Sequence, residues 1–265
     1  MPKRTNRSYV YTPLMRWEPL PVEGSTGHAW VKGLSKDDET GARTAMIKYD
    51  PGFRAPKTKS EWPIDMFVLE GGMTSGNRTY QKGTFHYRPA GAEIGPIETT
   101  TGITRIIFTA EERGKSSPDE VFIQDTELQE WTKSYSDPTG TKRKLKDLRQ
   151  DTIAGITMLI HSSFLPGLRA IENEMHVHDH IEEYYVLMGE FHDYLEDVDA
   201  HVRSVEGMYF YRAPFESYHG DTTSVITPSR VLVRRGWVGK ADTFYDNITE
   251  HTPDKFPVKP LDFKE

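Results

Sequence analysis

The 265-residue chain contains no cysteine. This absence excludes disulfides and thiol chemistry, and it leaves histidine and the carboxylates as the strong metal ligands of the sequence. No segment approaches the roughly 20 apolar residues that are needed to cross a bilayer, and residues 1–6 lack the apolar core of a signal peptide. We therefore expect a soluble cytoplasmic protein that does not act at a membrane.

The chain has no excess of positive charge, since 33 lysines and arginines stand against 40 acidic residues, for a formal net charge of −7. A surface that binds nucleic acid needs a basic stripe that displaces counterions from phosphates. The sequence also lacks a Gly-x-Ser-x-Gly elbow, a phosphate-binding loop and a dinucleotide fingerprint. We expect no nucleic-acid partner, and any chemistry must rest on other residues.

Turn-forming and aromatic residues are abundant, with 21 glycines, 17 prolines, 13 tyrosines and 12 phenylalanines. They are spread along the chain without a long helical periodicity, which favours many short strands joined by turns. The length also exceeds the roughly 100 to 150 residues of a typical single domain. We predict an all-β protein with two domains.

The two halves of the chain resemble each other. The matched segments are Trp17 with Trp131, residues 32–34 with 146–148, residues 51–55 with 166–170, residues 67–71 with 185–189, and residues 83–95 with 207–220. The offset between them grows from about 114 to about 125, as loop insertions in a duplicated domain would produce. We predict that residues 1–116 and 117–265 form two domains related by internal duplication.

The strongest functional signal lies in the second half, where His176, His178 and Glu182 follow one another closely. Side chains alternate between the faces of a strand, so the two histidines share a face, and a tight turn would bring Glu182 alongside them. Two imidazoles and one carboxylate suit a divalent first-row metal such as iron, manganese, nickel, cobalt or zinc. We predict one divalent metal ion per chain, with open positions for a small-molecule substrate.

This segment resembles the cupins, a family marked by two sequence motifs. Residues 176–189 fit the first motif, His-x-His-x3-Glu-x6-Gly, at every fixed position. Gly207, Pro214 and His219 fit the second motif, Gly-x5-Pro-x-Gly-x2-His. One extra residue precedes the proline, and Glu216 replaces a glycine. The resemblance implies tandem cupin barrels, or jelly rolls, and it implies four metal ligands: His176, His178, Glu182 and His219.

The first half lacks the corresponding ligands. Lys57 and Lys59 stand where the motif has its two histidines, and Ile94 stands where it has the later histidine. Neither an ammonium group nor an aliphatic side chain can bind a cation, so we predict that the first barrel has lost its metal site. It would then support the active barrel by covering one end, by contributing a strand to it, or by building a dimer.

Residues 31–34, 40–45 and 51–52 are similar to the ChrR-type cupins and to the acetylacetone-cleaving dioxygenases near them. This branch implies two kinds of metal site, the iron of an oxygenase and the zinc of a sensor. The fold alone therefore does not determine the function.

Strand alternation nominates further residues around the predicted metal. Tyr184 shares a face with Glu182 and should point into the barrel, where a phenol can act as a general acid or base. Arg212 and Arg234 are candidate partners for a carboxylate or enolate of the substrate. Glu174 would face inward if its strand runs without a bulge.

Three functions fit these residues. The first is an Fe(II)-dependent dioxygenase that cleaves a carbon–carbon bond in a small diketone, hydroxyketone or phenolic substrate. The second is a redox-neutral lyase, isomerase or hydrolase with Tyr184 as general base. The third is a zinc-binding sensor without turnover. Homodimerisation through exposed sheet edges is a further expectation.

Overall fold

The computed structural model is built almost entirely of β-strands. It describes residue 4 and residues 7–109, 119–131, 133–136, 142–153, 155–163, 176–177, 180–195, 200–214, 224–236 and 246–247. Helical structure in these residues is limited to a 3-10 turn at Thr12–Leu14. None of them belongs to a helix that could span a bilayer. The predicted all-β class is confirmed.

The strands of the first half are β1 (Arg7–Tyr11), β2 (Glu18–Pro19), β3 (Ala29–Lys36), β4 (Arg43–Tyr49), β5 (Arg54–Ala55), β6 (Thr58–Lys59), β7 (Ile64–Ser75), β8 (Arg78–Gln81), β9 (Thr84–Arg88), β10 (Glu93–Ile94), β11 (Ile97–Glu98) and β12 (Ile103–Thr109). Those of the second half are β13 (Phe122–Asp125), β14 (Lys133–Ser136), β15 (Lys142–Asp151), β16 (Ile156–Ser163), β17 (His176–Val177), β18 (Glu182–Leu195), β19 (Ala200–Val205), β20 (Met208–Arg212), β21 (Ser224–Gly236) and β22 (Asp246–Asn247).

Two large antiparallel sheets organise these strands into two barrels. The first barrel has the strand order β13-β9-β7-β12-β4-β3-β2, and the second has the order β1-β20-β18-β21-β16-β15-β14. Each position in one order has its counterpart in the other, so that β7 corresponds to β18 and β9 to β20. The two halves therefore share one topology, as the predicted duplication requires.

The barrels exchange one strand each. β1 pairs with β20 of the second barrel, and β13 pairs with β9 of the first. Thr12 follows β1, and its hydroxyl donates to the Gly207 carbonyl at 2.7 Å. Thr126 follows β13 and donates in the same way to Gly83 at 2.7 Å. The expected contribution of a strand from the first half to the second barrel is thus observed.

The exchange affects the meaning of the domain boundary. A cut at residue 116 would leave β1 and β13 attached to the barrel to which they do not belong. Residue 116 lies outside the described residues. The division into residues 1–116 and 117–265 stays a prediction. In the structure, each barrel includes one strand from the other half of the chain.

A buried lysine repeats the same symmetry in both halves. Lys32 Nζ donates to the Thr12 carbonyl at 2.8 Å and lies 4.3 Å from the ring centroid of Trp17. Lys146 makes the equivalent bond at 2.5 Å and lies 4.6 Å from the ring centroid of Trp131. Burial lowers the pKa of both amines, because it removes water from the charged form. These matched contacts confirm the alignment of the two halves.

The long strands β7 and β18 bend at equivalent glycines. Gly71 has φ +71° and Gly189 has φ +80°. A Cβ at Gly71 would collide with the Gly102 carbonyl, and one at Gly189 with the Pro228 carbonyl. A side chain is thus excluded both by the backbone conformation and by the close neighbouring strand. This explains the glycine that closes the sequence motif at residue 189.

The two large sheets pack against each other through one shared hydrophobic core. Phe67 and Tyr185 lie in this shared core, whereas the following residues, Val68 and Val186, lie inside their own barrels. The other buried members of the shared core are Leu34, Met46, Phe85, Tyr87, Ile106, Phe108, Leu148, Met158, Ile160, Tyr209, Tyr211, Ala213 and Leu232. Each large apolar side chain stabilises the contact by about 1.5 to 3 kcal/mol on full burial. The two barrels are thus packed together by both halves of the chain.

A charged group is embedded in this contact. Glu183 Oε1 accepts hydrogen bonds from Arg4 Nη1 at 3.0 Å and from Arg234 Nη1 at 2.7 Å. Its Oε2 accepts from the hydroxyls of Thr44 and Tyr209. Burial raises the pKa of Glu183, but the two arginines and the two hydroxyls outweigh it, so that the pKa lies below its usual value. We term these five residues the inter-barrel ion cluster.

Candidate metal centre in the second barrel

Strand β18 begins at Glu182 and directs alternate side chains into the second barrel. Tyr184 and Val186 pack in the interior of this barrel, whereas Tyr185 and Leu187 pack against the shared core. The inward placement of Tyr184 predicted from strand alternation is confirmed. Glu182 lies on the same face and is 2% exposed. A carboxylate that is buried to this extent requires polar partners.

Both carboxylate oxygens of Glu182 accept hydrogen bonds from neighbouring side chains. Arg212 Nη1 donates to Oε2 at 2.8 Å, and the Tyr184 hydroxyl donates to Oε1 at 2.7 Å. Arg212 reaches Glu182 because the two residues are direct partners in the β18–β20 pair. These two bonds fix the orientation of the carboxylate, whose oxygens are of the kind that ligates divalent metal ions.

Aromatic rings form a wall beside this carboxylate. The Phe210 ring centroid lies 4.7 Å from that of Tyr184 and 5.4 Å from that of Tyr9. The Arg212 guanidinium lies 4.4 Å from the Phe210 centroid. Tyr9 comes from the exchanged strand β1 and has φ 55°, an uncommon value for a residue other than glycine. Nothing in the sequence pointed to Tyr9, because the strand exchange could not be read from it.

The predicted ligands fall only partly within the described residues. His176 lies in β17, opposite Asn247 of β22, but its side chain is outside the described part. His178, His219 and the candidate Glu174 also lie outside it. Within the described part of the chain, no group of three or more histidine and acidic side chains could hold a metal ion. The complete four-ligand site stays a prediction.

The two candidate substrate arginines lie on opposite faces of the sheet. Arg212 faces the interior and binds Glu182. Arg234 belongs to the inter-barrel ion cluster and is 1% exposed, so its position differs from the substrate contact that we expected. Strand alternation along β21 instead places Arg235 on the interior face, in register with Glu182. Of the adjacent residues Arg234 and Arg235, strand alternation therefore favours Arg235 as the arginine that faces the barrel interior.

The similarity to solved structures with the same architecture extends over nearly the whole chain. A proposed dioxygenase from Nostoc punctiforme is 17% identical, covers 93% of this chain and 87% of its own, and has a TM-score of 0.73. A cupin 2 conserved barrel domain protein from Leptotrichia buccalis is 13% identical, covers 88% of this chain and 97% of its own, and has a TM-score of 0.57. Residues 5–112 match the family model of the ChrR Cupin-like domain. These matches show that the chain has the cupin fold, and that residues 5–112 are similar to the ChrR Cupin-like family.

A third structure with the cupin fold is oxalate decarboxylase from Bacillus subtilis, described with Mn(II) centres. It is 14% identical, covers 92% of this chain and 78% of its own, and has a TM-score of 0.53. At these identities the structures show the fold alone. No curated protein sequence matches the chain. The match to the ChrR Cupin-like domain confirms the resemblance expected for the first half.

The first barrel of this protein differs at the positions that correspond to the metal motif. Lys57 and Lys59 are exposed and pair with Glu93 at 3.7 and 3.4 Å. In β7, Ile64 takes the register position that Glu182 has in β18. An isoleucine offers no lone pair to a cation. The corresponding position of the first barrel therefore cannot supply the carboxylate that the second barrel holds.

Proposed function

We propose that this cupin is a metalloenzyme that acts on a small organic substrate through one divalent metal ion in the second barrel. The preferred ion is Fe(II), and manganese, nickel, cobalt and zinc are alternatives. The preferred reaction is that of a dioxygenase, with cleavage of a carbon–carbon bond. A diketone, a hydroxyketone or a phenolic compound would be the substrate.

The main support for this proposal is the buried carboxylate of Glu182, which hydrogen bonds fix in orientation. Carboxylates that ligate metals are oriented by hydrogen bonds from residues behind them, and Arg212 and Tyr184 stand in this relation to Glu182. The remaining proposed ligands are the imidazoles of His176, His178 and His219. Imidazole and carboxylate donors together suit a divalent first-row ion. When bound, Fe(II) would polarise oxygen atoms of the substrate and activate dioxygen.

The residues of the barrel divide the remaining work. Arg212 holds one oxygen of Glu182 and prevents the carboxylate from rotating. Tyr184 carries a proton that points at the other oxygen, and this proton can be transferred to a substrate atom nearby. Phe210 and Tyr9 form an aromatic wall that accepts an apolar substrate and excludes water. These roles fit a small molecule with one or two oxygen atoms.

The comparisons support this proposal at the level of the fold. The Nostoc punctiforme protein is a proposed dioxygenase, and the Bacillus subtilis enzyme is a decarboxylase with Mn(II) centres. Two different reactions on one fold mean that the choice between them must come from experiment. The cytoplasmic location and the homodimer stay predictions.

A redox-neutral lyase, isomerase or hydrolase is the second candidate, and the bond between Tyr184 and Glu182 changes the role that Tyr184 would have in it. The hydroxyl donates to the carboxylate at 2.7 Å, so Tyr184 is a proton donor in this arrangement rather than a base. Oxygen consumption separates the two reactions, since the redox-neutral enzyme converts its substrate without it. A zinc-binding sensor, the third hypothesis, would show no turnover.

Tyr184→Phe is expected to reduce kcat by about 100-fold to 10,000-fold, because it removes a general acid and leaves the ring in place. Oxygen uptake and product formation with a panel of diketones and phenols measure this loss. Tyr185→Phe is the matched control. It removes the same hydroxyl group from the next residue, whose side chain lies on the opposite face of the strand, in the shared core. The proposed role is wrong if the two variants lose activity equally, or if Tyr184→Phe retains the activity of the wild type.

A further inference from the structure

The interior of the first barrel contains a basic cluster. Its members are His86 and Arg88 of β9, Arg105 of β12, Tyr49 of β4 and Tyr80 of β8, and each is at most 8% exposed. Strand alternation directs them inward, because the intervening residues of β9 and β12 pack in the shared core. Two guanidinium groups are therefore enclosed inside this barrel.

The cluster satisfies only part of its hydrogen-bonding capacity. Arg105 Nη2 donates to the Tyr49 hydroxyl at 2.5 Å, and the His86 ring lies 5.1 Å from that of Tyr80. Three buried nitrogen atoms have no hydrogen-bond partner within the described residues: Arg88 Nη1, Arg105 Nε and His86 Nε2. Buried polar nitrogens without a partner are rare in folded proteins, and a bound ligand, water or ion is one physical explanation for them.

The electrostatics of the cluster point in the same direction. Burial lowers the pKa of His86 to about 3, and the charges of Arg88, Arg105 and Arg78 add to this effect. Burial also lowers the pKa of Arg88 to about 10, again with Arg105 as a repelling neighbour. An anion beside two buried guanidinium groups that repel each other would stabilise them.

The second barrel shows what such an arginine normally binds. Arg88 lies opposite Ile64 in the β7–β9 pair, as Arg212 lies opposite Glu182 in the β18–β20 pair. The second barrel supplies the carboxylate from its own chain, whereas the first barrel has an isoleucine that packs in the barrel interior. The duplication therefore leaves Arg88 without the acidic partner of its counterpart.

We propose that the first barrel binds a small organic carboxylate whose oxygens accept hydrogen bonds from Arg88 Nη1 and Arg105 Nε. A guanidinium donates to the two oxygens of a carboxylate in a fixed planar geometry. Met66, Val68 and Ile107 pack in the same interior, so we choose acids of one or two carbons as probes: formate, acetate and oxalate. This site lies in the other barrel from the proposed metal centre and does not depend on the proposed function.

Thermal unfolding in the sodium salts of formate, acetate and oxalate tests the site, with sodium chloride at equal ionic strength as reference. At about 100 times the dissociation constant, we expect one of these acids to raise the Tm by about 5 °C or more. Arg88→Met and Ile64→Glu should both abolish the rise, the first by removing the donor and the second by supplying an internal carboxylate. Arg54→Met, an exposed arginine of the same barrel, is the control and should retain it.

The His176→Ala variant, changed in the other barrel, should show the full rise. A rise that disappears in His176→Ala would place the acid at the metal centre and overturn the proposal. So would an equal rise in chloride, a rise that persists in Arg88→Met, or no rise with any of the three acids. Since Arg88→Met only replaces a cation by an apolar side chain of similar length, it remains informative if Ile64→Glu does not fold.

Discussion

Glu183→Gln is expected to lower the free energy of unfolding by about 3 to 5 kcal/mol. The change removes the negative charge between Arg4 and Arg234, which are both buried and bonded to Glu183 Oε1. Two guanidinium groups would then face each other without the charge that offsets their burial. Urea denaturation of the wild type and the variant measures the difference.

The pH dependence gives this prediction a second readout. The pKa of Glu183 is lower in the folded protein, so the unfolded state binds the proton more readily as the pH falls. The stabilisation by Glu183 is therefore complete above its unfolded value of 4.5 and is lost as the pH falls through the lower folded value. The difference between wild type and variant should shrink accordingly in acid.

Glu93→Gln is the matched control for Glu183→Gln. Glu93 also faces two cations, Lys57 and Lys59, but its side chain is 53% exposed. Water screens such pairs, so we expect a change below about 1 kcal/mol. Equal effects of the two substitutions would show that the inter-barrel ion cluster does not hold the barrels together.

Arg212→Met and Arg88→Met are expected to have different effects, although the two residues occupy equivalent positions. In protein dialysed free of metal, Arg212→Met should cost about 3 to 5 kcal/mol, because it takes the guanidinium from the buried carboxylate of Glu182. Arg88→Met should cost less than about 1 kcal/mol or stabilise the protein, because it removes a buried cation with an unpartnered nitrogen. The measurement is denaturation in chloride buffer without carboxylic acids. Equal losses in the two variants would contradict this account of the two barrel interiors.

Sequence patterns predicted the features that depend on strand period and on duplication. Lys32 and Lys146 could be aligned because local motifs repeat, and their equivalent contacts with Trp17 and Trp131 follow from one shared topology. The inward side chain of Tyr184 follows from the period of two along a strand. Strand alternation needs only neighbouring residues and the duplication needs only a comparison of local motifs, which is why both predictions could be made without a structure.

Features that depend on pairing between distant segments could not be predicted. Tyr9 reaches the second barrel only because β1 is exchanged, and no local pattern specifies that partner. Glutamate is usually exposed to solvent, yet the contact between the barrels buries Glu183. Arg234 and Arg235 are adjacent and chemically identical, so only the register of β21 against β18 separates them.

The metal content of protein purified under nitrogen without added metal tests the central claim most directly. We predict close to one iron per chain in the wild type and a loss of that iron in His176→Ala, which removes a proposed ligand. Manganese, nickel, cobalt or zinc at the same ratio would keep the metal centre and favour redox-neutral chemistry or sensing over the oxygenase. Wild-type protein that holds no metal even after reconstitution with each of these ions would contradict the proposed metal centre.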